Sequence, residues 1–363
     1  MAKWTRQAWI VGIALAAPGA GLAEEPAAPA QARPAFDADG TVRVPAFDLP
    51  ASAFLSPEAL EAQKRRARAP VSTPGNNLPI AAVRKGLAAM LAPQIAGMQA
   101  QYPVEVTEGD VAGVPVRTFV PKGKPWDKKR VLINLHGGGF SMCWESCSML
   151  ESIPISVIGG YKVVSVNYRM GPEAKHPAAL EDVEKVYRQL LKTYKAKNIG
   201  IYGCSAGGAL TGQTAAWLPR RGLPQPGGIG IFGAGAVRFM SGDSAYISGN
   251  ISGAFPPPPK DPATAGDMTR GYFDGADYGD AVISAALHPD VIAKFPPALI
   301  ITGTRAMDLS PAVVTNSSLL KAGVKSTLVV GEGMDHCYIY QSTLPEARDA
   351  YGIIVRHFRE TLK

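Results

Sequence analysis

Apolar and polar residues change rhythm along the chain. Residues 57–68 and 80–99 carry apolar positions at helical spacing. Two extended runs follow, 104–111 and 114–120, separated by Ala112-Gly113, and predict a β-hairpin. From Arg130 onward, short apolar runs at 131–135, 162–166, 199–202, 228–232, 298–302 and 326–330 alternate with longer helical stretches. A strand covered on both faces reads as a continuous apolar run, so these six predict the buried parallel strands of an α/β sheet. Between the fourth and fifth lies 237–295, too long for a simple crossover, Gly-rich and containing Pro256 to Pro259 in a row. Such an insertion is expected to sit over the sheet as a lid; the competing reading is a surface excursion. No internal repeat is visible.

The run at 199–202 leads into Gly203-Cys204-Ser205-Ala206-Gly207-Gly208 and then an Ala/Leu-rich helical stretch to Trp217. This is G-x-S-x-G between a strand and a helix, a tight turn that lifts the central side chain off the sheet. The positions two before and two after the nucleophile must be small, and Gly203 and Gly207 meet that need for Ser205. For Cys204 those positions are Tyr202 and Ala206, so the thiol is not the nucleophile. The run at 131–135 passes directly into His136-Gly137-Gly138-Gly139-Phe140. Three glycines free the backbone to turn N–H groups inward, toward the oxygen that becomes negative when a carbonyl is attacked. A phosphate cradle would require Gly-Lys-Ser/Thr after the glycines, and none follows.

With Leu135 to Phe140, Asn167-Tyr168-Arg169-Met170-Gly171-Pro172-Glu173, Pro177-Ala178-Ala179-Leu180-Glu181-Asp182-Val183 and the serine turn in this order, the chain resembles the hormone-sensitive-lipase-like branch of the α/β-hydrolases, the bacterial family IV esterases. The resemblance runs from about Val104 to the C-terminus. It implies an α/β-hydrolase fold, a central, mostly parallel eight-stranded sheet flanked by helices, with a cap domain. The family's oxyanion donors fall on Gly138, Gly139 and Ala206. Its cap matches the helices within 46–100 and the insertion 237–295, leaving 101–236 and 296–363 as the catalytic domain.

A serine hydroxyl needs a base, and histidine titrates nearest neutrality. Of five histidines, His136 begins the glycine loop, His176 stands where the family usually has phenylalanine, His288 precedes Pro289 in the insertion and His357 lies on the terminal helix. His336 follows a strand late in the chain, in Gly331-Glu332-Gly333-Met334-Asp335-His336, and is assigned as the base. The family's acid position, in the loop after 298–302, is held by Ala306. The nearest carboxylate, Asp308, is assigned as the acid that orients the imidazole. The rival reading makes Asp308 only the cap of the helix starting near Ser310, with Asp335, Glu332 or water supporting His336. Phe140, Met142, Trp144, Phe255, Tyr272 and Phe273 are candidates either to line an acyl or aryl pocket or to pack the interior.

Composition adds limits. The chain has 363 residues, 46% apolar and 18% charged, and suits a folded protein with a sizeable core. Met1 to Ala23 has a basic start, an apolar run and small residues before Glu24-Glu25, the pattern of an export signal; the competing reading is an uncleaved anchor. Residues 24–45 read as a tether, Pro/Ala-rich through Pro34. Losing Lys3 and Arg6 reduces the formal charge from +7 to +5. The basic clusters lack interleaved aromatics, so no nucleic-acid partner is expected. Nor is stable membrane insertion expected once the signal is removed.

Cys143, Cys147, Cys204 and Cys337 follow no zinc spacing, and no metal or cofactor is expected. Export permits disulfides, with the pairing left open. Cys204 stands where the family commonly has aspartate. Cys337 could lie near it, the pair being read as two small buried thiols. The resemblance implies a homodimer, since many relatives pair through the last strand and helix. The expected activity is that of a secreted or periplasmic serine carboxylesterase acting on short- to medium-chain or aryl esters. Amidase, lactonase or lipase activity with the same machinery, and a non-catalytic ligand-binding protein on this scaffold, are the alternatives.

Overall fold

The computed structural model of the chain describes residues 33–68, 78–252, 255–259 and 267–363. The export-signal segment Met1 to Ala23 and the tether as far as residue 32 lie outside the described residues. Two units are distinguished, Met1–Pro50 and Ala51–Lys363. In the first, β1 (Ala35–Phe36) and β2 (Val42–Arg43) pair antiparallel within the stretch expected to be tether. A turn from Asp37 to Thr41 closes this hairpin, with Arg43 Nη2 2.5 Å from Asp37 Oδ2.

The second unit begins with α1 (Pro57–Arg68) and α2 (Ile80–Gln101). The hairpin β3 (Val104–Val111) and β4 (Val114–Pro121) turns at Ala112 and Gly113, both at positive φ, as a two-residue loop of type I′ requires. The alternation then produces β5 (Asp127–Leu135), α3 (Trp144–Gly159), β6 (Tyr161–Val166), α4 (Ala178–Leu191), β7 (Ile199–Cys204), α5 (Ala206–Arg220) and β8 (Gly228–Phe232). The insertion contributes α6 (Asp243–Ser252) and the short α7 (Pro289–Ile292). The chain closes with β9 (Ala298–Gly303), α8 (Leu309–Lys321), β10 (Ser326–Gly331) and α9 (Pro345–Thr361).

One eight-stranded sheet results, in the order β10-β9-β8-β7-β5-β6-β4-β3. The six strands from β10 to β6 are parallel; β4 and β3 continue antiparallel. Both faces are covered at the centre of the sheet, which is why β7, β8 and β9 are buried at every position. Strand β10, expected to be buried, instead lies at the sheet's edge and has no fully buried residue. Along β7, Ile199 and Ile201 enter the core shared with α4 and α5, whereas Tyr202 and Cys204 enter the one shared with α3 and α9. This alternation sets the face on which each later side chain acts. The end of the insertion belongs to the first core, where Ala285, Ala286, Ile292 and Phe295 are buried.

Candidate active site

Five parallel strands, β5, β7, β8, β9 and β10, end along one edge of the sheet, where open α/β sheets place their ligands. The loops leaving β5, β7, β9 and β10 carry the glycine run, Ser205, Asp308 and His336. Ser205 sits between β7 and α5 at φ 59°, ψ −123°, a strained conformation for a residue with a side chain. Its amide donates to the Phe232 carbonyl at 2.9 Å. The flanking glycines are required by space: a Cβ on Gly203 or on Gly207 would run into the Leu135 carbonyl oxygen. Strand and helix could not then approach.

The glycine loop is held just as firmly. Gly138 and Gly139 adopt φ 116° and 59°, and a Cβ on Gly138 would strike the Met142 carbonyl. The Gly137 carbonyl faces His136 Nδ1 at 2.7 Å, and the Gly138 carbonyl accepts from the Ser141 and Met142 amides at 3.1 and 3.0 Å. In a trans peptide the N–H points opposite the C=O, so these contacts fix the planes that carry the Gly138 and Gly139 amides. Ala206 is the first residue of α5, where the N–H has no intrahelical acceptor. His136 is buried, stacks on Tyr168 at 4.3 Å, and burial pushes its imidazole down to about 4. It is a neutral donor to Gly137, a structural role.

His336 Nδ1 lies 2.6 Å from Asp308 Oδ1, and Asp308 Oδ2 accepts from Thr302 Oγ1 at 2.5 Å. Asp308 does occupy the N-cap position of α8, but its side chain makes no capping hydrogen bond. The carboxylate is fully buried and turned toward the histidine. Of the rival acids, Asp335 pairs with Arg66 and Glu332 is exposed. The other histidines stand elsewhere: His176 stacks on Phe273, His288 Nε2 meets the Gly279 carbonyl, and His357 is half-buried beside β8.

Cys143, whose pairing the sequence leaves open, is bonded to Cys147; Cys204 and Cys337, expected as two buried thiols, are instead bonded to each other. The first disulfide braces the residues after the glycine loop. The second joins the neighbour of Ser205 to the neighbour of His336, because β7 turns Cys204 toward the face beneath the base loop.

Glu151 on α3 was not identified as a site residue. It is buried and accepts from the Gly137 and Cys204 amides at 2.8 and 3.1 Å, from Asn134 Nδ2 at 2.8 Å and from the Tyr340 hydroxyl at 2.7 Å. One carboxylate thus joins the glycine loop, the serine turn and the base loop. Burial pushes it up to about 7, the four donors opposing. Its signal in the sequence is a single acid inside the apolar stretch Leu150 to Ile155.

The aromatic candidates divide. Phe140, Tyr272 and Phe273 are buried against one another, with centroids 4.9 to 5.0 Å apart. Trp144 lies under the Arg117 guanidinium. Phe255 and Phe239, both from the insertion, meet the His336 ring edge-on at 5.3 and 6.0 Å. The insertion also brings Met268 against Gly139. From the other side, Arg84 on α2 donates to the Ser141 carbonyl at 2.8 Å, tying α2 to the glycine loop.

A serine on a strand-to-helix turn, a carboxylate-bound histidine and pinned glycine peptides at the ends of parallel strands define an α/β-hydrolase site. The chain belongs to the alpha/beta hydrolase fold family, which matches residues 132–340. It is similar to the crystal structure of esterase E25, at 27% identity and a TM-score of 0.75, over 88% of this chain and 99% of that one. It shares its fold with a hormone-sensitive lipase from a metagenome library, at 23% identity and a TM-score of 0.67, over 84% of this chain and 98% of that one. An acetyl-hydrolase of Streptomyces hygroscopicus is 28% identical over 223 residues, 61% of this chain and 72% of that protein. The chain spans 31–47% of the length of three curated relatives matched at 31–35% identity.

Proposed function

We propose that the protein is a secreted or periplasmic serine carboxylesterase that cleaves short- to medium-chain or aryl esters through an acyl-enzyme. The observation that carries this reading is the Asp308–His336 contact at the same sheet edge as the strained Ser205. His336 Nε2 accepts the Ser205 proton as Oγ attacks the ester carbonyl, and Asp308 stabilises the imidazolium through Nδ1–H. The amides of Gly138, Gly139 and Ala206 receive the negative oxygen. The intermediate collapses with the proton passing from His336 to the departing alcohol. Water, deprotonated by the same base, then releases the acid and restores Ser205.

The likeness to an esterase and an acetyl-hydrolase supports ester chemistry. Phe239 and Phe255 against His336, and Met268 over the glycine loop, support an acyl or aryl group of limited size. The test is a rate panel of p-nitrophenyl esters from acetate to palmitate, with matched amides and lactones, on the enzyme and on Ser205→Ala. The expected result is a maximum at short or medium chains and loss of turnover in the variant. Undiminished activity in Ser205→Ala, or none on any ester in the parent, would overturn the reading; a maximum on palmitate or on amides would move it to lipase or amidase.

Export is supported by the Met1 to Ala23 pattern and by two disulfides, which persist in oxidising compartments. Among the described residues no helix is long and apolar enough to cross a membrane. N-terminal sequencing of protein recovered from fractionated cells should begin at Glu24; a chain retaining Met1 in the membrane fraction would favour the anchor.

A further inference from the structure

Cys204 is the residue before Ser205, and Cys337 is the residue after His336. They lie 133 positions apart and are joined by a disulfide with a Cα–Cα distance of 6.2 Å. The base loop leaves β10, and the nucleophile leaves β7. Strands β8 and β9 lie between them, a gap of about 14 Å at the usual strand spacing. The base loop must therefore lean back across two strand ends to reach the serine. Its other anchors reach mostly to other elements: Gly333 N to Thr304 Oγ1, Arg305 N to the Met334 carbonyl, and Gln63 Nε2 to the Gly333 carbonyl. A noncovalent link from the base loop to the serine turn runs from Tyr340 through Glu151 to the Cys204 amide. The covalent link is the disulfide.

The surroundings are shaped to this bond. Gly233, at the end of β8, passes beneath it at φ 55°, and a Cβ there would come 2.8 and 3.1 Å from the two sulfurs and 3.1 Å from His336 Cε1. Cys337 itself adopts φ 51°, and its sulfur lies 3.7 Å from His336 Nε2, the nitrogen that exchanges protons with the serine. Cys204 is fully buried and Cys337 nearly so. Asp308 holds the imidazole by its other nitrogen and fixes the tilt of the ring. The backbone that carries the ring is set by its neighbour, Cys337.

We propose that Cys204 and Cys337 are positioning residues of the reaction: their disulfide bolts the base loop to the strand end that carries the nucleophile. This rests on the serine-esterase reading. The folded enzyme with this bond broken binds ester normally and turns it over slowly, since a misplacement of about 1 Å can cost on the order of 10²-fold in rate. Reduction by a dithiol makes the dependence reversible. One thiolate of the reagent attacks a sulfur to form a mixed disulfide. Its second thiolate then displaces the protein sulfur, so the dithiol is oxidised to its cyclic disulfide and Cys204 and Cys337 become two thiols.

The test starts from parent enzyme whose turnover depends on Ser205, so that failure of the underlying reading is seen separately. Denatured parent should contain no free thiol. In Cys204→Ala/Cys337→Ala, shown folded at the assay temperature by near-ultraviolet circular dichroism, kcat should fall 10- to 100-fold with KM within about threefold. Labelling of Ser205 by a fluorophosphonate should slow in step. A cross-link that only stabilises the fold would move neither rate at that temperature. Should the double variant not fold, the parent is titrated with dithiothreitol and the thiols mapped by alkylation and mass spectrometry. Activity should then fall in step with alkylation of Cys204 and Cys337 and, in a parallel unalkylated sample, return on reoxidation. A folded double variant with kcat within twofold of the parent, full activity with both cysteines alkylated, or free Cys204 and Cys337 in active parent enzyme would each overturn the proposal.

Discussion

Replacing Glu151 with glutamine tests how a buried carboxylate supports this site. Oε1 receives the Gly137 amide and the Tyr340 hydroxyl; Oε2 receives the Cys204 amide and Asn134 Nδ2. A glutamine amide nitrogen cannot accept, whichever way the group is turned. Tyr340 can rotate its hydroxyl and Asn134 can flip, but the two backbone N–H groups cannot move aside. One of them loses its acceptor, at a cost of about 1–3 kcal/mol.

Against this stands the cost of burying charge. Burial raises Glu151 from 4.5 to about 7. The folded protein therefore holds this proton between pH 4.5 and 7 while the unfolded chain has released it. Stability from this group is fully present below pH 4.5 and is lost as pH rises through 7, by about 3 kcal/mol in all. The glutamine variant has no such slope. Urea denaturation of both proteins, followed by tryptophan fluorescence, should find the variant about 1–3 kcal/mol less stable at pH 5. By pH 8.5 the gap should have closed or reversed by about 2–3 kcal/mol. Turnover at pH 8.5 should still fall, because either the glycine loop or the serine turn has lost its anchor. A gap independent of pH, or one that widens in favour of the parent as pH rises, would refute the balance between burial and the four donors.

Other outcomes follow from the same geometry. Asp308→Asn leaves the site's shape but presents the wrong group to His336 Nδ1, and kcat should drop by about 10³–10⁴-fold on an activated ester; near-normal turnover would remove Asp308 from the mechanism. Gly138→Ala forces a Cβ at φ 116° into the Met142 carbonyl and displaces the amides on the loop. Its kcat should fall by about 10²–10³-fold, with protection from urea measured alongside to separate misfolding from lost oxyanion stabilisation. Loss of Cys204–Cys337, which spans 133 positions, should cost about 5 kcal/mol by chain entropy. Loss of Cys143–Cys147, which spans four, should cost about 2 kcal/mol. Melting curves of the two double alanine variants check the order, and the reverse order would show that contacts rather than chain entropy dominate.

What sequence by itself determined here is what short-range sterics and patterning control. The apolar runs became strands because a fully covered sheet tolerates little polarity in its interior strands. The Gly203 and Gly207 spacing marked Ser205 because only small residues let a strand and a helix meet around a tight turn. Three glycines after β5 announced a backbone bent toward the site, and His336 was reached through its place after the last strand. All of these are decided within a few residues along the chain.

Tertiary structure alone decided what depends on strand order and side-chain direction. The sequence left Asp308 either as a helix cap or as the partner of His336, since both need the same residue beside α8; the orientation of the carboxylate separates them. Cys204 and Cys337 read as two small thiols that could lie near each other; their bond follows only once β7, β8, β9 and β10 stand side by side and the base loop folds back across them. Glu151 is a single acid in an otherwise apolar stretch and belongs to no motif. It acquires a role only where α3 passes beneath three loops whose N–H and O–H groups converge on one carboxylate. Local rules place the reacting groups on the chain, whereas the sheet decides which of them meet.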